Sequence, residues 1–208
     1  IQRNEIPCMK VVGQWRFKKS VIDMWLCSRM NFSEEHQFAQ LMDVTDTALQ
    51  LSRLITPPFM CLDLQSTGVE DTLWELTAPL QKRGLVTERK DLVQQLLARE
   101  EMVTTAFGEG TAFPHLRDVK QVPSGSPPII MGISKNGLNF GNLHGDVTHI
   151  IFLLLVPNET THLRILSRLA KFSQKEGIKN RLLAATNSDE ISRLLLEDDY
   201  ESMAQPAR

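Results

Sequence analysis

Eight consecutive residues, Gly108-Glu109-Gly110-Thr111-Ala112-Phe113-Pro114-His115, bring together two glycines, a proline and a histidine. Glycine lets a backbone turn its N–H groups toward one point, as an anion such as phosphate requires. Pro114 restricts the chain just before His115 and so helps to fix where the imidazole points. With an unperturbed pKa of about 6.5, a neutral imidazole has one nitrogen free for attack while the other donates to a neighbour. Attack on a phosphoryl donor would give a phosphohistidine whose labile P–N bond passes the group onward, covalent catalysis with the protein as intermediate. Such a site must neutralise the phosphoryl oxygens and align donor with acceptor. Arg99, Thr105 and the loop amides are the local candidates. The spacing is not that of a P-loop or a dinucleotide fingerprint, and no Lys-Ser/Thr pair follows. By spacing alone, a structural role for a lone histidine in a glycine-rich loop stays open. His144 and His149 have no cysteine or carboxylate cluster beside them, so no metal site is expected, and no cofactor.

Regular elements must hold this loop in place. Residues 69–83 carry a helical pattern stopped by Gly84, with Pro79 expected to kink or shorten it. Thr87 is read as the cap of a helix running to about Glu101, with Leu92, Val93, Leu96 and Leu97 on its buried side. Pro57-Pro58 breaks the chain before a strand at 59–64, and 127–134 is a further apolar segment. Residues 150–156 lack alternation, which suits a strand covered on both faces. Leu163, Leu166, Leu169, Ala170 and Phe172 follow helical spacing. A last helix over about 189–196 takes Asn187 as its cap and Glu190 as N3. Strands alternating with helices imply an α/β fold, a mixed β-sheet flanked by helices.

The 208 residues are 42% hydrophobic and 23% charged, as in an ordinary globular protein, with a net charge of −2. That total conceals an asymmetry: in the first thirty residues Arg3, Lys10, Arg16, Lys18, Lys19 and Arg29 face only Glu5 and Asp23. This is either a solvated basic face or a local anion-binding surface. Residues 7–17 read as a hairpin turning at Gly13-Gln14, followed by a helix capped by Ser20 with Val21, Ile22, Trp25 and Leu26 on one stripe. Cys8, Cys27 and Cys61 form no CxxC pair and are read as buried or free thiols in a reducing compartment. The longest apolar run, 147–156, is far shorter than the roughly 20 residues of a membrane span, and no signal peptide is seen. A cytoplasmic location is therefore expected. The sequence opens on Ile1 rather than methionine, as a fragment would.

Ordered motifs between Thr47 and Glu197 resemble the type 2 enzyme IIA domain of the bacterial phosphotransferase system, shared by fructose- and mannitol-specific permeases and nitrogen-regulatory IIA proteins. They are Arg99-Glu100-Glu101-Met102, Thr105, the Gly108-to-His115 loop, Phe152-Leu153-Leu154-Leu155-Val156-Pro157 and His162-Leu163-Arg164-Ile165-Leu166-Ser167-Arg168-Leu169-Ala170. The resemblance implies that His115 accepts a phosphoryl group from the phosphohistidine of the carrier HPr or its nitrogen-branch counterpart. It implies that His162 assists by hydrogen bonding, that Arg99 lies beside the pocket, and that Thr105 places a hydroxyl near it. Ala106 stands where the family often has glycine, and Thr111 and Phe113 replace aliphatic residues. Residues 1–30 resemble part of an excisionase-like helix-turn-helix module related to MerR regulators: the wing and last helix, without the two helices that precede them. In an intact protein Arg16, Lys18 and Lys19 would touch DNA phosphates.

The expected organisation is thus a partial helix-turn-helix over 1–30, a linker over 31–46, the IIA domain over 47–198 and a tail over 199–208. The expected function is that of a nitrogen-regulatory-type phosphocarrier with an HPr-type donor. The alternatives are a sugar-transport component passing phosphate to a IIB cysteine, and a DNA-binding regulator whose IIA-like domain is not phosphorylated.

Overall fold

The structure, a computed structural model, describes residues 9–11, 14–16, 49–141 and 146–204. The chain divides into two units, and the one spanning residues 46–205 carries the candidate site. In the other, strands β1 (Met9–Val11) and β2 (Gln14–Arg16) pair antiparallel with Lys10 opposite Trp15. The expected hairpin is present, but Gln14 belongs to a strand rather than to the turn. The helix expected over 20–26, the linker over 31–46, Cys8, Cys27 and His144 lie outside the described residues. The helix-turn-helix reading of residues 1–30, and with it a DNA partner, is therefore not supported.

The larger unit is built on five strands: β3 (Met60–Cys61), β4 (Ala106–Phe107), β5 (Thr111–Ala112), β6 (Ile129–Leu138) and β7 (Thr148–Leu154). Their order is β3-β6-β7-β5-β4, with β3/β6 and β5/β7 parallel and β6/β7 and β4/β5 antiparallel. Side chains alternate across a strand, and here both faces are covered. Ile129, Met131, Ile133, Ile150, Phe152 and Leu154 point into one apolar cluster, with α1 (Leu51–Leu54), α4 (Glu159–Ser173), α5 (Ile178–Ala184) and α6 (Ser188–Ala204) supplying the opposing side chains. Ile130, Ile151 and Leu153 point the other way, against α2 (Val69–Lys82) and α3 (Arg89–Met102). The two-sided strand expected over 150–156 is thus β7, two residues earlier. No described helix is long and apolar enough to cross a membrane.

Sequence expectation and structure part in three elements. Pro57-Pro58 opens a 3-10 turn that takes up Phe59, so the strand expected over 59–64 is reduced to Met60–Cys61, although the Leu64 amide still donates to Ile133 on β6 at 2.9 Å. Pro79 does not shorten α2, which continues to Lys82. It ends at Gly84 as expected: at φ +68° this glycine lets its own N–H reach Gln81 O at 3.0 Å and the Leu85 N–H reach Leu80 O at 3.0 Å, a Schellman closure. Thr87 does not cap α3; Glu88 holds the N-cap position and makes no side-chain cap bond.

The last helix begins as the sequence suggests, with Asn187 Oδ1 accepting from the Glu190 N–H at 3.0 Å, and the Glu190 carboxylate reaching back to the Thr186 N–H at 2.8 Å. It then runs past the expected end to Ala204, and its continuation fixes the start of the domain. Asp199, 5% exposed, accepts the Leu51 and Ser52 amides of α1 at 2.9 Å each, while Arg168 ion-pairs with both Asp198 and Asp199. Asp199→Ala removes two charge-assisted bonds at a buried helix start and is expected to cost about 3 kcal/mol. Urea unfolding should show this as a lower midpoint at unchanged slope, with Asp199→Asn intermediate.

Candidate active site

The loop that opens the site is a hairpin turn. Strands β4 and β5 pair Ala106 with Ala112 and Phe107 with Thr111, leaving Gly108, Glu109 and Gly110 to reverse the chain. Glu109 and Gly110 both take positive φ, 64° and 72°. At Gly110 a Cβ would also meet Val147 O at 3.1 Å, and its carbonyl accepts the amides of His149 and Ile150 at 2.7 and 3.1 Å. Glycine here is required by conformation and by close approach to the start of β7. The bonds that Gly110 makes run through its carbonyl, so its visible part is to turn the hairpin rather than to offer an amide to an anion.

Beyond β5 the chain stays beside β7. Pro114 O accepts from the Leu154 N–H at 2.9 Å, and His115 bridges Leu154 in parallel fashion. The backbone of His115 is thereby fixed to the central sheet. Its ring is fixed separately: Nδ1 lies 2.8 Å from the Phe113 carbonyl oxygen. A carbonyl can only accept, so a neutral ring in this contact carries its proton on Nδ1 and leaves Nε2 with a free lone pair.

His162 faces this ring from one turn inside α4, with ring centroids 4.9 Å apart and planes inclined at 58°. The cap of α4 is Asn158, whose Oδ1 accepts the Thr161 N–H at 2.9 Å, so His162 is not needed as a helix cap. It is 8% exposed. Arg99 is buried in the last turn of α3 and donates from Nη1 to Val103 O at 2.9 Å. Thr105 does not offer a free hydroxyl: Oγ1 donates to Glu100 Oε2 at 2.6 Å. His149 holds Ser134 O through Nδ1 at 3.0 Å. Cys61, half-buried, has its thiol pushed up to about 11 by burial and then by the charge of Glu75.

Electrostatics make both rings neutral. Burial, then the charge of Arg99, then His162 push His115 down to about 3, against the Phe113 carbonyl, which pulls it upward; burial and Arg99 push His162 down to about 4. His115 nevertheless keeps part of its surface open to solvent. Two pH effects follow. Nε2 stays unprotonated through the physiological range, so any reaction that uses its lone pair should not slow near pH 6.5 as it would at an ordinary imidazole. Stability runs the other way: below the ordinary value of 6.5 the unfolded chain takes up protons that these folded rings refuse until about 4 and about 3. The urea midpoint is expected to fall as pH drops through that window, and His115→Gln with His162→Gln should flatten the fall.

Glu100 is the site residue that sequence reasoning left without a role. It is 6% exposed, and Oε1 accepts the Thr105 N–H at 2.5 Å while Oε2 takes the Thr105 hydroxyl. Burial, the largest influence, raises its carboxyl pKa; the Thr105 bonds and Arg99 oppose this. A signal was present: Leu92, Val93 and Leu96 set the buried stripe of α3, and Arg99 and Glu100 fall on it at the next helical step.

Comparison with known proteins covers this same region. Residues 53–198 match the family described as phosphoenolpyruvate-dependent sugar phosphotransferase system, EIIA 2. A fructose-specific EIIA component of Haloferax volcanii is 30% identical over 162 residues, 75% of this chain and 98% of that protein. A nitrogen regulatory protein of Pseudomonas aeruginosa is 26% identical over 153 residues, 72% of this chain and 96% of that one. A fructose-specific EIIABC component of Bacillus subtilis is 29% identical over 153 residues, but this chain spans only 24% of its length. Among solved structures, nitrogen regulatory protein IIA-Ntr of Neisseria meningitidis superposes with a TM-score of 0.59 at 25% identity, covering 70% of this chain and 98% of that one.

Proposed function

The chain belongs to the EIIA type 2 family of the phosphotransferase system, and from that premise we propose that it is a phosphocarrier in which Nε2 of His115 takes a phosphoryl group from the phosphohistidine of an HPr-type protein and holds it for a regulatory purpose. One observation carries this reading: the Phe113 carbonyl holds the proton of a neutral His115 on Nδ1 and so leaves Nε2 as the nucleophile, beside the second ring of His162.

The transfer balances without a separate proton acceptor. The Nε2 lone pair forms the new N–P bond as the donor's N–P bond breaks, and the leaving electron pair stays on the donor imidazole. Nδ1 keeps its proton, and the positive character that the doubly substituted ring acquires is met by the Phe113 carbonyl. A phosphoryl group adds about −1.5 to −2 charge near neutral pH, which Arg99 compensates. The same charge favours protonation of His162, which can then donate to a phosphoryl oxygen. Thr105 and Glu100 stand behind the loop.

The second reading has an observation of its own. The relatives include fructose-specific EIIA components beside nitrogen regulatory proteins, so a sugar-transport role with a IIB cysteine as recipient competes with the regulatory one. Incubation with phosphoenolpyruvate, enzyme I and an HPr-type carrier, read by intact mass, tests the shared step: one acid-labile phosphoryl group is expected. Adding a IIB domain to the product separates the readings. Quantitative loss to the IIB cysteine would favour transport, and retention would favour regulation.

A further inference from the structure

The tautomer on which the site depends is traceable, bond by bond, to a buried carboxylate that does not touch the reacting nitrogen. We propose that Glu100 is a positioning residue for phosphoryl uptake, setting the tautomer and direction of the His115 ring through Thr105 and Phe113. The proposal deepens the phosphocarrier reading and rests on it for its kinetic consequence only.

The path has three contacts. The Glu100 carboxylate takes the Thr105 N–H at 2.5 Å and its hydroxyl at 2.6 Å. The Thr105 carbonyl accepts the Phe113 N–H at 3.1 Å. The Phe113 carbonyl accepts from His115 Nδ1 at 2.8 Å. The Phe113 N–H is held by Thr105 O and the Pro114 carbonyl by the Leu154 N–H, so the planar unit that joins the Phe113 carbonyl to Pro114 is anchored on both sides and has little freedom to swing. The Thr105–Phe113 bond lies just beyond the last paired residues of that ladder, Ala106 and Ala112, where a two-residue strand would otherwise fray. Free histidine prefers its proton on Nε2. Holding it on Nδ1 therefore takes a carbonyl fixed in place, and a wandering Phe113 would let the ring revert to the form with no lone pair on Nε2.

A carboxylate rather than another acceptor fits the position. It has two oxygens for the two Thr105 donors, and its negative charge lies beside the buried guanidinium of Arg99. Glutamine at 100 keeps the size but offers one acceptor oxygen where two are used.

The test compares the native chain, Glu100→Gln and Thr105→Val by ¹⁵N NMR of the histidine rings and by phosphoryl uptake from a phosphorylated HPr-type carrier. In the native chain His115 should show a protonated Nδ1 and a bare Nε2. In Glu100→Gln a substantial Nε2–H population is expected, with uptake at saturating donor slowed about 10- to 100-fold, the scale seen when the hydrogen-bonded support of a metal-bound histidine is removed. The KM for the donor should hold. Thr105→Val, which removes only the hydroxyl contact, should show a smaller shift of the same sign. A native tautomer in folded Glu100→Gln overturns the proposal, whether or not uptake slows, because a merely structural loss would not move the proton. If Glu100→Gln does not fold, Thr105→Val decides, and an unchanged tautomer there overturns it. If the native chain takes up no phosphoryl group, the phosphocarrier reading fails, and the tautomer comparison still decides the role of Glu100.

Discussion

His115→Ala is expected to reduce phosphoryl uptake to background, a loss of at least about 10⁴-fold, the scale on which removal of a covalent nucleophile acts. In the proposed transfer the ring contributes the attacking lone pair, and the neighbouring His162 is not expected to take its place, since it lies on a helix with its own burial and orientation. The fold should survive. The backbone of this segment is held by the Pro114 carbonyl and the Leu154 amide rather than by the imidazole. Because the ring is held neutral in the folded state, its removal should also stabilise the protein below pH 6.5 relative to the native chain. Loss of uptake with an unchanged circular dichroism spectrum would establish this; uptake at the native rate would exclude His115 as the acceptor.

Arg99→Gln carries the next largest expected effect. The guanidinium is the cation whose charge reaches both rings, and burial strengthens its field by excluding water. Removing a preorganised stabiliser of developing negative charge usually costs about 10²–10³ in rate, and uptake should slow by that much. A second readout distinguishes charge from packing: both histidine pKa values should rise when the cation is gone, visible as NMR titrations displaced upward. Slower uptake with unmoved titrations would assign Arg99 to packing alone. Val103 O also loses its donor, so some loss of stability should accompany either result.

Much of the scaffold was legible because it follows from periodicity. The run around Ile151 and Leu153 has no alternation because apolar clusters cover both faces of β7. Gly84 ended α2 because the Schellman closure needs a residue at positive φ. Asn187 and Glu190 capped α6 by local hydrogen bonds that sequence spacing encodes directly. What was hidden depends on contacts distant in sequence. Asp199 reads as the start of a tail beyond the domain and Asp198 as the domain's last residue, yet both are buried because Arg168 and the α1 amides, about 30 and 148 residues away, meet them. Glu100 drew no role from the sequence because its partner Thr105 lies across a turn. Pro79 was expected to limit α2, and the surrounding helix tolerates it.

The site was legible as a set of residues and illegible as an arrangement. The glycine-proline-histidine loop stands out by type, and the second histidine, His162, by the family resemblance. Which nitrogen of His115 is free depends on one carbonyl two residues back, and the need for a fixed carbonyl is visible only once β4 and β5 are paired. The hydroxyl of Thr105, expected to face the pocket, is spent on Glu100 instead.

The measurement that tests the central claim most directly is ¹⁵N–³¹P NMR of histidine-labelled protein after phosphorylation by phosphoenolpyruvate, enzyme I and an HPr-type carrier. A single phosphoryl group on Nε2 of His115, with the proton still on Nδ1, is the predicted result. A phosphoryl group on Nδ1, on another residue, or none at all with a competent carrier would contradict it.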